Sequence, residues 1–413
     1  MSLTLPTTSQ PAVSKAQALS ARWATSAVFF ANGMVMATWV VRVPSVQGAL
    51  QLSPATVGIA LLGMSVGSLL AMPQTGHLAA RYGTRRVTVT AGVLMMLALI
   101  LPFLAPNLWL LFAALSLLGA GNGVMDVAMN AQGVAVERWL AKPVMSSFHA
   151  AYSLGNLAGA GLGSLLLGWH LGSVSHALLI TLSMSAVVLL AGAKLLPKRA
   201  DEPDREPEPD APPEYAPSQA APANSSSVNP SNPNTLIWML GLLCFLGMMG
   251  EGSLGDWSGL YSKQVLSLSG AALGAAYTAF TLAMTVGRVF GDGWRSRYGD
   301  QRVVMTGALL SGAGLCAGLL TLNPSLMVLG SLVFGLGVAN VVPVLYGTVG
   351  KVLAGHGIAR VATIGYAGFL TGPPLIGFVS QLSSLRWGMT LIALSLLLVG
   401  LLTPRVYRRL SER

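Results

Sequence analysis

Asn122, Asp126 and Asn130 recur at every fourth position of one apolar stretch, and His149, Tyr152 and Asn156 follow in the next at spacings of three and four. Four residues turn a helix by only about 40° beyond a full turn, so each set predicts one polar stripe on an apolar helix. Such a stripe either faces a polar cavity or forms a hydrogen-bonded seam between helices. Asp126 can do more than hydrogen-bond, because a carboxylate can take up and release a proton. Glu251, in Glu251-Gly-Ser-Leu-Gly-Asp256-Trp257, is the rival proton carrier. Asp256 lies nearer the end of its run, where a cavity or water would receive it. Arg42, Trp39 and Trp257 have the chemistry to bind a solute oxygen or stack on a sugar-like ring, and Asn340 is a further cavity candidate. His149 is read either as a proton relay or as an interfacial histidine.

The elements that must hold these groups follow from composition. Of 413 residues, 53% are hydrophobic and 9% charged, against roughly 25% charged in an average soluble domain. Apolar runs occur near 24–46, 56–79, 87–105, 108–134, 144–168 and 176–196, then near 236–259, 271–294, 303–322, 325–349, 361–381 and 386–403. A membrane-spanning helix needs about 20 such residues. In lipid the backbone must satisfy its own hydrogen bonds, so each run predicts a helix. The fold class is therefore an all-α membrane protein with twelve transmembrane helices.

The expected organisation is a tail at 1–21, a six-helix bundle at 22–196, a linker at 197–235, a second bundle at 236–403 and a tail at 404–413. The linker carries half of the protein's 14 acidic residues and is rich in proline, serine and asparagine, a composition that cannot bury apolar surface. The bundles are repeats. At one constant offset Leu52-Ser53 matches Leu268-Ser269, Arg81-Tyr82-Gly83 matches Arg297-Tyr298-Gly299, and Gly119 and Gly121 match Gly335 and Gly337. Parallel repeats of six helices are an established transporter plan.

Placement of charge sets orientation and excludes other classes. Every Lys and Arg except Arg42, Lys263, Arg288 and Arg386 falls in segments that are cytoplasmic if the N-terminus is. The net charge of +10 thus reflects topology, and no nucleic-acid partner is expected. The nine Trp lie near the ends of apolar runs, as an interfacial belt would place them. Cys244 and Cys316 sit in separate apolar runs and suggest neither disulfide nor metal. No signal peptide, metal, cofactor or enzymatic motif is expected. Gly155, Gly159 and Gly163 form a smooth ridge for helix packing. Arg288 and Asp292, one turn apart near the cytoplasmic end, are expected to pair locally.

The loop Gly76-His-Leu-Ala-Ala-Arg81-Tyr-Gly83-Thr-Arg85-Arg86, partly repeated as Arg297-Tyr-Gly299-Asp-Gln-Arg302, resembles the cytoplasmic loop motif of the major facilitator superfamily. Ala80 and Ser296 stand where that motif has Asp. The resemblance implies twelve helices in two halves, with these loop residues, Arg288 and Asp292 acting as a cytoplasmic gate. Met36-Ala-Thr-Trp39-Val-Val-Arg42-Val-Pro44, Asp126-Val-Ala-Met-Asn130, His149-Ala-Ala-Tyr152 and Glu251-Gly-Ser-Leu-Gly-Asp256-Trp257 resemble the bacterial YbjJ-type inner-membrane permeases, relatives of the fucose:proton symporter branch. That branch places a proton-carrying carboxylate in helix 4 before an Ala and an Asn, which matches Asp126, Ala128 and Asn130. Its helix 1 acid has no counterpart here, so fucose is not implied. The expected function is symport of a small polar solute with protons by a monomer in the inner membrane, both termini cytoplasmic. A proton-driven exporter and a solute receptor without flux are the alternatives.

Overall fold

The computed structural model describes residues 13–142, 144–200, 233–352 and 355–411; the side chains at 146, 233, 292, 351, 355–359 and 411 also lie outside that description. Among the described residues there is no strand. Twelve helices are long and apolar enough to cross a membrane. They are α1 Lys15–Ala49, α2 Pro54–Tyr82, α3 Thr84–Leu104, α4 Leu108–Leu140, α5 Ser147–Gly168, α6 Ser173–Gly192, α7 Asn234–Gln264, α8 Gly270–Gly291, α9 Asp300–Thr321, α10 Pro324–Gly350, α11 Arg360–Leu382 and α12 Leu385–Leu410.

Local chemistry fixes where they begin. Ser14 and Gln17 form a capping box on α1, Ser53 caps α2 ahead of Pro54, and Asn107 and Asn323 cap α4 and α10, each satisfying N–H groups that a helix start leaves open. Glu137 does the same across a turn: its Oε2 accepts from the backbone N–H of Val144 and Met145 at 2.7 and 2.9 Å, just before α5.

Several expected boundaries move. Helix α1 starts inside the expected N-terminal tail, with Ala18 and Ala21 buried. The last helix runs on through the expected C-terminal tail to Ser411. Residues 198–200 of the expected linker form a turn on the first bundle, where Ala200 O accepts from Trp139 Nε1 at 3.2 Å and Lys198 Nζ donates to Arg81 O at 3.1 Å. Backbone partners, which composition does not reveal, decided these edges. The rest of the linker, 201–232, and residues 1–12 and 412–413 lie outside the described residues.

Close packing inside each half depends on glycine. A Cβ at Gly159 would meet Met34 O at 2.7 Å, and one at Gly155 would strike Phe30 O, so the α5 ridge lies against α1. Helices α4 and α5 follow one another in sequence but are not each other's main neighbours; α5 runs along α1, and α4 along α2 and α3. Consecutive in sequence, α4 and α5 thus do not pack as a hairpin, because the glycine ridge draws α5 to α1.

The halves meet along α2 with α11, α5 with α8, and α1 with α7. Gly58 stands against Pro373 and Pro374, Ser164 against Thr278, and Pro44 O accepts from Lys263 Nζ at 2.9 Å. These contacts lie towards the face opposite the one where α1 begins and α12 ends.

Candidate functional site

Between the halves lies a cavity of about 350 Å³ lined by α1, α2, α4, α5, α7, α8 and α11. Its polar lining brings together Asn122, Asp126, Tyr152, Asn156, Glu251, Asp256 and Arg288. Tyr277, Phe280, Tyr366 and Phe369 supply aromatic walls. A few convergent polar groups on a mostly apolar surface is the usual build of a small-molecule site.

The first stripe reaches this cavity with two of its three members. Asn130 does not line it; its Nδ2 donates to Asp126 O at 2.8 Å and Asp126 Oδ1 at 3.3 Å. Asn122 Oδ1 accepts from Asn32 Nδ2 of α1 at 3.1 Å. Asp126 is thus held by a neutral amide of its own helix, one turn away, and shows its carboxylate to the cavity. On α5, Tyr152 and Asn156 line the cavity, whereas His149 packs its ring edge-on to Phe29 at 5.4 Å.

Glu251 is not alone. Its Oε1 receives Arg288 Nη2 at 3.1 Å, and Arg288 Nη1 donates to Ser153 Oγ at 3.0 Å. Arg288 therefore belongs to the cavity rather than to the cytoplasmic loop where sequence grouped it, and it links α8 and α7 of one half to α5 of the other. The local pair with Asp292 cannot be placed, because that side chain lies outside the described residues. Asp256 lines the cavity and has neither ion pair nor hydrogen bond among the described residues.

Four other candidates sit elsewhere. Trp39 and Trp257 are 2% and 0% exposed, within the protein rather than in an interfacial belt or on the cavity wall. The belt reading suits Trp23, Trp109, Trp169, Trp238 and Trp387, which are exposed. Arg42 is buried and donates through Nε to His176 Nδ1 at 3.0 Å. Asn340 sits where α10 breaks between Val338 and Val341, its Nδ2 donating to Gly287 O at 2.8 Å. A break exposes backbone groups that an amide can satisfy, which makes a structural polar residue there reasonable.

Sequence reasoning missed Ser153, Tyr277 and Thr285. Tyr277 donates to Asn156 Oδ1 at 2.7 Å and Thr285 Oγ1 to Ser153 O at 3.4 Å, both across the interface between halves. A signal was present: Tyr277, Thr281, Thr285 and Arg288 follow one another at spacings of four, four and three, a polar stripe on α8 like those of α4 and α5.

The repeated loops share one geometry. Gly83 and Gly299 take φ of 84° and 80°, a region open to glycine and strained for other residues. Each lets the chain turn directly into the next helix. Beside them Arg81 lies over the ring of Tyr82 at 5.2 Å and Arg297 over Tyr298 at 5.4 Å. Gly76 falls within the short helix Thr75–Tyr82. Arg85 is half-buried, and Arg86 and Arg302 are exposed.

Comparison with known proteins agrees with this architecture. The family described as Major Facilitator Superfamily matches residues 24–274 and 258–412. An uncharacterized MFS-type transporter of Yersinia pestis is 35% identical over 385 residues, covering 92% of this chain and 94% of its own length. The membrane protein MosC of Rhizobium meliloti is 30% identical over 359 residues, covering 86% of this chain and 82% of its own. Among solved structures, a bacterial homolog of the human lysosomal transporter Spinster, inward-facing and occupied, superposes with a TM-score of 0.74 at 12% identity over 97% of this chain and 99% of that one. The nucleoside transporter NupG gives 0.68 at 13% identity, over 94% and 99%. With twelve spans, two repeated halves and a central cavity between them, this chain belongs to the major facilitator superfamily, a family of membrane transporters.

Proposed function

We propose that the protein carries a small polar solute across the inner membrane together with protons, by rocking its two halves about the central cavity. The observation that carries this reading is Asp126: a carboxylate on the wall of the cavity between the halves, steadied by Asn130 and, among the described residues, paired with no cation. A carboxylate inside a membrane is costly unless it has a use. Its resemblance to the helix 4 proton site of the fucose:proton symporter branch points the same way. Glu251 is the second candidate, since a proton on it would release Arg288 and with it the bond to Ser153 across the halves.

The contacts at Gly58, Ser164 and Lys263 close the face opposite the termini. With both termini cytoplasmic, as the basic residues favour, these contacts seal the outer face and must part when the cavity turns outward. The polar wall of Asn122, Asn156 and Tyr152 suits hydroxyl-rich solutes, and the aromatic residues suit the apolar face of a ring.

The test begins with a thermal-shift screen of sugars, polyols, organic acids and cationic compounds, because a ligand of the folded state raises its melting temperature. With a solute in hand, Asp126→Asn in liposomes should exchange solute across the membrane yet fail to accumulate it under a proton gradient. Glu251→Gln receives the same assay. Accumulation by Asp126→Asn equal to that of the unmodified protein would reduce Asp126 to a structural polar group.

A further inference from the structure

The charges on the cavity wall do not balance. Among the described residues its lining holds three carboxylates, Asp126, Glu251 and Asp256, and one cation, Arg288. Arg288 is taken by Glu251 at 3.1 Å. When Asp126 carries the proton, as in the transport reading on which this inference rests, one negative charge is left over, on Asp256. That carboxylate has neither ion pair nor hydrogen bond among the described residues. An uncompensated charge within a membrane span is costly, and a neutral partner leaves it uncompensated.

The neighbours of Asp256 indicate what kind of cation would match it. Gly252, Gly255 and Asp256 share one face of α7, since residues three and four apart are neighbours on a helix. An aromatic ring occupies the space that each glycine leaves. A Cβ at Gly252 would strike the ring of Phe369, and one at Gly255 would meet Tyr277 Cε2 at 3.3 Å. Both rings line the cavity. Tyr277 gives its hydroxyl proton to Asn156 Oδ1 at 2.7 Å, so that proton is not available to Asp256. The carboxylate therefore has one ring on the turn before it and another beside it. Aromatic rings attract an ammonium group, whereas a hard metal ion needs several oxygen ligands.

We propose that the solute is a singly charged organic amine, its ammonium group bound by Asp256 beside Phe369 and Tyr277. With Asp126 protonated and Glu251 on Arg288, the ammonium makes the loaded cavity neutral, the state that is least costly to close off from water. An anionic solute would have to draw Arg288 from Glu251 and would leave two carboxylates unmatched. A neutral sugar would leave Asp256 as it is. The polar wall of Asn122 and Tyr152 remains for hydroxyl groups on the same molecule.

The experiment is thermal unfolding of the full chain in nanodiscs at neutral pH, titrated with two sets of probes alike in shape and different in charge. One set is glucosamine, glucose and glucuronate; the other is cyclohexylamine, cyclohexanol and cyclohexanecarboxylate. The amine of a set should raise the midpoint saturably, on the order of a few degrees at high occupancy. Its neutral and anionic counterparts should need at least roughly tenfold more for the same shift. This comparison uses the unmodified protein and does not depend on any variant folding. In Asp256→Asn the amine should lose its advantage over the alcohol, and in Phe369→Leu its half-saturation should rise about fivefold. No shift from either amine, a shift from alcohol or carboxylate at equal or lower concentration, or either variant binding the amine as the unmodified protein does would overturn the assignment. Binding here involves no proton gradient, so the two readings fail separately. Amine preference without accumulation in liposomes sinks the transport reading alone, and proton-driven accumulation of a neutral or anionic solute sinks this one alone.

Discussion

The two halves use one scaffold and different chemistry. At the loops Arg81-Tyr82-Gly83 and Arg297-Tyr298-Gly299 they agree in backbone angle and in the arginine laid over the tyrosine ring. At the cavity they part. The first half offers Asp126 beside a neutral amide, whereas the second offers Glu251 bound to Arg288. A loop must turn the chain in the same way in both copies, which restricts what can change there. The cavity has no such restriction, so its lining can differ between the halves.

The largest effect expected from probing this comparison concerns packing beneath the first half's stripe. Gly159→Leu must displace Met34 O, whereas a Cβ at Gly161 on the same helix meets nothing within 4 Å. Overpacking of this kind costs about 3 kcal/mol or more. Thermal melts should show Gly159→Leu severely destabilised or poorly folded and Gly161→Leu near the unmodified protein. Equal melting of the two would remove the ridge from the account of the first half.

A smaller effect separates the two carboxylates. Glu251→Gln leaves Arg288 without its counter-charge, in a pair whose side chains are 26% and 18% exposed. Partial hydration reduces the loss to about 1–2 kcal/mol. Asp126→Asn breaks no ion pair and should change stability by under about 0.5 kcal/mol. If the two variants melt alike, the asymmetry of the cavity is geometric and carries no energy.

The smallest effect tests the sameness of the loops. Alanine at either Gly83 or Gly299 must adopt a positive φ with an extended ψ, a combination essentially confined to glycine that costs about 1–3 kcal/mol. At Gly83 the added Cβ also meets Lys198 Cβ at 2.7 Å, and at Gly299 it meets nothing within 4 Å. Gly83→Ala should therefore melt lower than Gly299→Ala. Identical melting would mean that the turn formed by residues 198–200 gives way without cost.

Helix number, the two repeats and the polar stripe of α4 were legible in the chain, since hydropathy and residue spacing act over neighbours in sequence. Asp126 could be singled out for the same reason: its companions Asn122 and Asn130 lie one turn to either side. The stripe of α8 obeys that rule too, since Tyr277, Thr281, Thr285 and Arg288 share one face. What spacing could not supply was the partner across space. Glu251 looked solitary until α8 brought Arg288 within 3.1 Å. Trp39 and Trp257 looked interfacial until neighbouring helices covered them. Arg42 looked ready to meet a solute until α6 set His176 against it. The sequence by itself determined that the chain crosses the membrane twelve times in two related halves, because lipid obliges each apolar run to close its own hydrogen bonds. Only the tertiary structure decided which polar groups share the cavity and which are sealed within a half, because that depends on how helices distant in sequence turn towards one another when their glycine faces pack.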